Sequence, residues 1–190
     1  YRLFLTQISN ALTQTRSFTY DPWLAQILTS TDQNGQVTET VYDTLGRVTK
    51  VINPLDSSLE PTQEFAYEYP AAPDTVPATT KTTTKIKSSV PGQTFTQLIT
   101  YSFTDGLGRE IQRRSPSEGT DQIVSGIVTF NSRGLIDKQY VPYFATSSTS
   151  YVAIDTSKPK ATFTYDAVGR RTRIDYPDST NSQVTYSDFV

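Results

Sequence analysis

The chain has 190 residues, of which 35% are hydrophobic and 12% aromatic, a size that fits one domain or a piece of a larger one. It contains no cysteine and no histidine, which excludes disulfides, thiol nucleophiles, cysteine-ligated metals and every Ser-His or Cys-His catalytic pair. Its net charge of −2 and the lack of any long apolar run indicate neither nucleic acid nor a membrane as a partner, and no cofactor is predicted.

The first quarter of the chain is predicted to be a meander of short strands, because Thr, Val, Ile and aromatic residues alternate between turn signals. Asp21-Pro22 predicts a turn, since proline fixes φ and keeps the preceding residue out of the helical region. Residues 3–11 show no clear period, and no element is predicted there. The predicted strands span 17–20, 23–31, 36–42 and 47–53.

The middle of the chain is predicted to alternate between connections and strands. A polar connection is predicted at 55–63, a strand with three alternating aromatic residues at 64–69, and a proline-rich loop at 70–77. The next strand, at 78–89, alternates threonine with lysine, which predicts a solvent-exposed strand or a sheet edge where positive charges discourage further pairing. Edge protection is favoured over nucleic-acid binding because no aromatic residues interleave with the lysines, which are Lys81, Lys85 and Lys87.

Two carboxylates of the 64–69 strand were weighed as a catalytic pair. Glu64 and Glu68 share one face of that strand and lie about 13 Å apart by the strand rise. This separation is too long for a retaining glycosidase pair and long even for an inverting one. We therefore expect a solvated face, and the chain is predicted not to be an enzyme.

The last half of the chain continues as strands. Ser and Thr dominate a connection at 142–159, and a β-hairpin is predicted at 162–177. After it, Asn181 is expected to take a positive φ in a turn before the sheet restarts at Gln183. No helical period is sustained over about 11 residues, so an all-β chain is predicted. The other strands are predicted at 95–105, 110–114, 123–130 and 135–141.

Five tight turns are predicted from one repeated pattern, an Asp or Asn followed three positions later by Gly. The Asp or Asn side chain is expected to hydrogen-bond the backbone and the Gly to take a positive φ, which gives a type I turn closing on a β-bulge. Where Arg follows the Gly, we expect it to pair across the strands rather than bind an anionic ligand. The predicted residues are Asp32, Gly35, Tyr42, Asp43, Gly46, Arg47, Asp105, Gly108, Arg109, Asn131, Gly134, Tyr165, Asp166, Gly169 and Arg170.

Two aromatic residues, Trp23 and Tyr143, are candidates for stacking on a ligand such as a sugar. Trp23 could stack on a sugar together with Tyr20, and packing of Trp23 in the core or at a seam is the favoured alternative. Tyr143 is also a candidate anchor for the connection at 142–159.

The Tyr-Asp-x-x-Gly-Arg sequences at 42–47 and 165–170 resemble the YD repeats of the Rhs proteins. More narrowly, the stretch from Tyr20 through the proline-rich insertion to 105–110 resembles the B component of insecticidal toxin complexes, as does Val-Pro-Tyr-Phe at 141–144. The family's aspartyl self-cleavage site has an Asp-Pro-x-Gly core. Residues 21–24 read Asp-Pro-Trp-Leu, so that activity is not carried over.

The resemblance implies that antiparallel YD-repeat hairpins form part of a curved, single-layer β-shell. Residues 1–190 would be a fragment of that shell truncated at both ends, with loops inserted at 55–63, 70–77 and 142–159. The implied function is structural: the shell encloses a C-terminal toxic polypeptide in a secreted or cell-surface bacterial protein. The implied partners are the rest of the shell, the enclosed toxin segment and other toxin-complex subunits.

An alternative function is open at this point. The same repeats build cell-surface adhesion or carbohydrate-binding modules in wall-associated and teneurin-like relatives. Glycan binding that depends on Trp23 or Tyr143 would favour this alternative.

Overall fold

The computed structural model describes residues 4–69, 80–88 and 96–187, and within these ranges every helix-or-strand element is a β-strand. The chain therefore has the all-β, antiparallel fold that the sequence predicts. In chain order the strands are β1 Gln7–Ser9, β2 Thr15–Tyr20, β3 Ile27–Thr31, β4 Val37–Tyr42, β5 Val48–Ile52, β6 Gln63–Glu68, β7 Thr80–Ser88, β8 Thr96–Thr104, β9 Glu110–Pro116, β10 Asp121–Ser125, β11 Val128–Phe130, β12 Ile136–Tyr140, β13 Tyr143–Thr146, β14 Lys160–Tyr165, β15 Arg171–Asp175 and β16 Asn181–Gln183.

The strands fall into two units. Unit 1 comprises Tyr1–Ala66 and Thr83–Ile99, and unit 2 comprises Tyr67–Thr82 and Thr100–Val190. The predicted loop at 70–77 lies outside the described residues. Over the ranges that are described, no helix has the length and apolar character needed to cross a bilayer.

In unit 1, β1 to β5 form an antiparallel meander in chain order, and the start of β6 pairs with β5. Short connections enforce this order, because two strands joined by a tight turn can pair only antiparallel. The predicted strand at 23–31 is wrong in its first half. β3 begins at Ile27, because the Asp21 carboxylate accepts hydrogen bonds from the N–H groups of Trp23 and Leu24 and holds them in a turn.

The lysine-rich strand β7 is not at an edge, so that part of the prediction is wrong. It has β6 on one side and β8 on the other. Its lysines are neutralised by carboxylates instead: Lys85 Nζ lies 2.9 Å from Glu64, and Lys81 Nζ lies 2.8 Å from Glu68. The two glutamates keep contact with solvent, as predicted, with side chains 34% and 58% exposed, and each is also an ion-pair partner.

Unit 2 contains two sheets, in which β9, β10 and β13 are neighbours in one and β11, β12, β14, β15 and β16 follow each other in the second. The predicted strand at 123–130 is therefore wrong, because β10 and β11 belong to different sheets. The chain changes sheet at Gly126, whose φ is +64°, and Ile127 is fully buried. The predicted loop at 142–159 is corrected too, since it contains β13, which pairs with β10.

Unit 2 buries polar side chains beside apolar ones. Val124, Ile127 and Tyr140 form its apolar cluster. Next to it, Gln112 is fully buried, and its side-chain amide donates to Val152 O (2.8 Å) and accepts from Val152 N–H (3.3 Å). The amide thus pairs with the main chain as a neighbouring strand would, and it holds the segment after β13 against the sheet.

Candidate functional site

The repeated Asp–Gly turns are the candidate site, and the turn at 43–47 shows their geometry. The N–H of Asp43 donates to Arg47 O (2.9 Å), and the N–H of Gly46 donates to Asp43 O (3.0 Å). One carboxylate oxygen of Asp43 accepts from the N–H groups of Leu45 and Arg47, both at 2.9 Å. The strand register slips by one residue just before the turn. A single Asp therefore satisfies the backbone donors that the bulge leaves unpaired.

The same hydrogen bonds recur at the other four predicted turns, which begin at Asp32, Asp105, Asn131 and Asp166. The glycines have φ values of +76° at three of them and +90° at Gly169. Left-handed backbone of this kind favours glycine, because a Cβ would approach the carbonyl oxygen. The predicted turn chemistry is confirmed at all five positions.

One turn provides a test of this requirement with its own control. Gly108→Ala is expected to lower the free energy of unfolding by about 1–2 kcal/mol, because alanine must take φ of +76° although nothing lies within 4 Å of its Cβ. Gly106→Ala, in the same turn, has equal space and no left-handed φ, so it is expected to be neutral or slightly stabilising. Urea unfolding of both variants measures the difference, and equal effects would contradict the left-handed requirement.

Three turns add an arginine that binds its own aspartate. The Nε atoms of Arg47, Arg109 and Arg170 donate to the second carboxylate oxygen of the turn Asp at 2.7, 2.8 and 2.6 Å. The predicted partner across the hairpin is therefore the turn's own aspartate, whose backbone N–H also donates to the carbonyl oxygen of the arginine. We call each of these pairs a clasp.

The clasps shift the aspartate pKa values. At Asp43 the backbone N–H of Arg47 and the guanidinium hold the pKa below its ordinary value, although partial desolvation opposes this. At Asp105 and Asp166 desolvation tends to raise the pKa, but the hydrogen bonds from the turn arginine outweigh it and lower the pKa. All three carboxylates are therefore bound more favourably in the ionised form.

This gives an expected pH dependence. Because the folded pKa is lower than the unfolded one, the clasps stabilise the chain fully above the ordinary Asp pKa of 3.8, and this stabilisation is lost as pH falls from there through the lower folded pKa. In the triple variant D43N, D105N, D166N the backbone caps should persist, as they do at Asn131, but the charge pairs are lost. Urea midpoints at several pH values should therefore show the wild type losing its advantage over the variant in acid. A constant gap would contradict the role of the clasps.

Two further tight turns lack glycine: the one at 10–14 was not predicted, and the one at 176–180 was predicted with a different residue at the positive φ. At 10–14 the Asn10 side chain caps Leu12 and Gln14, and Thr13 takes the positive φ of 62°. In the turn at 176–180, Ser179 takes the positive φ, which is 70°. The prediction that Asn181 would do so is wrong, since Asn181 begins β16. The Asp21 turn is one residue longer and places Ala25 at φ of 56°.

The tyrosine of the Tyr-Asp pair has its own role in the structure. The hydroxyl groups of Tyr20, Tyr42 and Tyr186 each donate to the backbone carbonyl of the residue 15 positions earlier, at 2.8, 2.9 and 3.1 Å. At Tyr42 the hydroxyl thus ties the start of the turn at 43–47 to Ile27, the first residue of β3. No spacing rule at the sequence level pointed to this bond. Tyr165, at the end of β14, pairs with Arg171 in the strand register.

In unit 2 the arginines also link neighbouring turns. The guanidinium of Arg109 lies 3.6 Å from the centre of the Phe130 ring and donates to Gly134 O. Arg133 donates to Asp166 O at 2.9 Å. The three turns at 105–109, 131–135 and 166–170 therefore lie side by side, joined by hydrogen bonds and a cation–π contact.

The two candidate stacking residues have different surroundings. Trp23 is 93% exposed, so the favoured prediction that it packs in the core or at a seam is wrong. Tyr143 lies on β13, half-buried, with Lys158 Nζ 5.3 Å from its ring centre. They belong to different units.

The arrangement is suited to holding backbone together. The aspartates of the turns bind their own turn, and Arg109 and Arg133 also reach the backbone of a neighbouring turn. Among the described residues no group of three or more potential metal ligands occurs. An open groove of about 470 Å³ lies beside the last clasp, and it is lined by Asp166, Arg170 and Tyr186 among others.

Fold and turns together define a class: an antiparallel hairpin-repeat protein whose hairpins close on capped Asp–Gly turns. No protein-family model and no curated protein sequence matches the chain. Solved structures do. A TcdB2-TccC3 crystal structure matches 97% of the chain at a TM-score of 0.77 and 18% identity, and a TcdB2-TccC3-Cdc42 structure matches 95% at 0.74 and 15%.

A Tc holotoxin pore of Photorhabdus luminescens is also similar, with 97% of the chain covered at a TM-score of 0.79 and 13% identity. The chain spans only 11 to 14% of the length of these three structures. The resemblance seen in the sequence is thereby confirmed at the level of fold: the chain has the fold of a part of these toxin-complex proteins.

Proposed function

We propose that the chain is a wall segment of a hollow YD-repeat shell, which encloses a toxic polypeptide at the C-terminal end of the same full-length protein. The observation that carries the proposal is the fold match over 97% of the chain to TcdB2-TccC3, together with the Tyr-Asp turns found independently in the sequence. The proposal assigns no catalytic step to the chain. It places the protein outside the cell or at the surface of a bacterium, with other toxin-complex subunits as partners.

The interactions that hold the hairpins together suit a segment of a shell wall. Turn caps and clasps close single hairpins, backbone hydrogen bonds join neighbouring strands, and the hydroxyls of Tyr20, Tyr42 and Tyr186 bond to backbone 15 residues earlier. Such local ties let repeats extend in one dimension without a large central core. A hollow container needs this property, because its interior is reserved for the cargo.

The test is protease protection in the full-length protein. We expect the C-terminal segment to resist a protease that rapidly digests the same segment when it is expressed alone. Partial denaturant that opens the repeats should remove the protection. Digestion of the segment at equal rates in both contexts would contradict enclosure.

The exposure of Trp23 favours carbohydrate binding as a second candidate function. A 93% exposed indole presents a flat apolar face of the kind that stacks on sugar rings. A glycan array with the wild type and Trp23→Ala would show saturable binding lost in the variant. Tyr143→Ala tests the other candidate, and Phe144→Ala, at an exposed neighbouring ring, is its control. Binding unchanged in both Trp23→Ala and Tyr143→Ala would reject this function.

A further inference from the structure

We propose that unit 1 binds a neutral oligosaccharide in an open groove between two of its turns, those at 10–14 and 32–36. These turns join β1 to β2 and β3 to β4, so the meander places them at the same end of its strands, opposite the turn that carries Trp23. The groove goes beyond the proposed function, since it requires neither an enclosed segment nor the rings of Trp23 and Tyr143.

The groove has the size of a binding site for a short sugar chain. Its volume is about 610 Å³, and a second groove of about 300 Å³ adjoins it, because both are lined by Gln14, Thr15, Asp32 and Gln33. Ligand sites in proteins commonly enclose about 300–1,000 Å³. Both grooves are open, which suits a chain that passes along them better than a small molecule enclosed on all sides.

The larger groove is rich in side-chain amides, which belong to Gln7, Gln14, Gln33 and Asn34. Three of them have no hydrogen-bond partner among the described residues, and Gln14 only accepts, from Asn10 Nδ2 at 2.6 Å. An amide both donates and accepts hydrogen bonds, as a sugar hydroxyl does, so one amide can bond two hydroxyls of a ligand. The NH₂ groups of all four amides are therefore available to a sugar.

Asp32 adds a carboxylate oxygen that no clasp uses. In each clasp an arginine follows the turn glycine and binds the second oxygen of the Asp. In the turn at 32–36 this position is Gln36, and Asp32 Oδ1 accepts from the N–H groups of Asn34 and Gln36 at 2.8 and 2.9 Å. Within the described ranges no group donates to Asp32 Oδ2. This oxygen can accept strong, charge-assisted hydrogen bonds from ligand hydroxyls.

The charges of the lining favour a neutral ligand. Of the described residues that line the two grooves, Asp32 and Arg16 are the charged ones. The Arg16 Nε donates to Ser30 Oγ at 2.9 Å, which holds the guanidinium at the smaller groove. The two charges balance each other, so the lining presents no net field that would attract a sulfated chain or a polyamine. Hydrogen bonds to hydroxyl groups are the interaction that the lining offers most.

One wall of the groove is strained and partly apolar. Thr13 lines the groove and takes a φ of 62°, a left-handed conformation that is costly for a β-branched residue. Strained backbone of this kind is typical of functional positions. Leu12 stands next to Thr13 in the lining and is 76% exposed. Its side chain can cover the C–H face of a sugar ring while the amides bond the hydroxyls.

Binding of defined oligosaccharides to the full-length protein tests the inference. The probes are immobilised linear hexamers of N-acetylglucosamine, glucose and mannose, together with a sulfated and a deacetylated form of the first. The sulfated form is anionic and the deacetylated form is cationic. We expect at least one neutral hexamer to bind saturably, and neither charged form to bind more tightly than the neutral one.

Three variants locate the binding. The triple variant Q7A, Q33A, N34A removes the amides that have no partner in the protein, so its urea midpoint should be unchanged while its affinity falls at least about tenfold. Asp32→Asn keeps an oxygen for the turn cap but removes the charge, and should weaken binding about three- to tenfold. Gln139→Ala removes an exposed amide on β12 in unit 2, and as the matched control it should bind like the wild type.

Several results would overturn the inference: failure of every neutral hexamer to bind, binding of a charged form only, or equal affinities in the triple variant and Gln139→Ala. Binding lost in Trp23→Ala but kept in the triple variant would also overturn it, since the sugar would then lie on that ring. The protease test of enclosure is separate. Protection of the C-terminal segment without sugar binding rejects only the groove, and sugar binding without protection rejects only the proposed shell function.

Discussion

Arg114→Ala is expected to lower the free energy of unfolding by about 3–5 kcal/mol, one of the two largest single effects in the chain. Arg114 is 2% exposed. Its Nε donates to Gln122 Oε1 at 2.9 Å and its terminal nitrogen to Thr146 O at 2.6 Å. Alanine would leave a cavity and remove the buried donor that Thr146 O uses. Burial also lowers the pKa of Arg114, which shows that its charge is held at some cost.

Two variants separate the causes. Arg113→Ala, at the next residue, removes a half-exposed arginine that pairs with Glu110, and the loss should stay below about 1 kcal/mol. Arg114→Met fills most of the side-chain volume but has no hydrogen-bond donor, so its loss in free energy of unfolding should lie between those of Arg113→Ala and Arg114→Ala. Urea unfolding followed by circular dichroism measures all three. If Arg113→Ala lowers the free energy of unfolding as much as Arg114→Ala does, burial of Arg114 does not explain the effect of its loss.

Phe103→Ala should lower the free energy of unfolding by about 3–5 kcal/mol, because a fully buried aromatic side chain is lost and its neighbours fill the cavity only in part. Phe103 is 1% exposed and meets the Tyr151 ring edge-on, with centroids 6.0 Å apart. Tyr151 belongs to the segment that follows β13. The variant should therefore loosen that segment from the sheet as well as destabilise unit 2.

Phe144→Ala is the matched control, since Phe144 is 66% exposed and the change should stay within about 0.5 kcal/mol. Hydrogen exchange of the amide of Val152, which is bonded to Gln112, reports on the segment. Faster exchange of this amide is expected in Phe103→Ala and not in Phe144→Ala. Unchanged exchange in Phe103→Ala would mean that the ring does not hold the segment.

Local chemistry explains why the turns could be predicted. Each turn needs an Asp that caps two backbone N–H groups and a Gly at positive φ, and both lie within five residues. The residue types alone therefore identify the turns, as at 43–47 and 166–170. Where Thr13, Ser179 and Ala25 take the positive φ, no glycine marks the position, although turns were predicted near two of these residues. The strand pairing on both sides imposes the conformation there, and tertiary context outweighs residue preference.

The sequence by itself determined that the chain is all-β and where its glycine turns lie, because those features depend on neighbours along the chain. Tertiary structure decided the rest: that β7 is an inner strand, that the arginines clasp their own aspartates, that the chain changes sheet at Gly126, and that Trp23 faces water. Each of these depends on which residues meet across strands. Alternation of apolar and polar residues determines which side chains of a strand point to the same face, but it does not determine which strands pair with it.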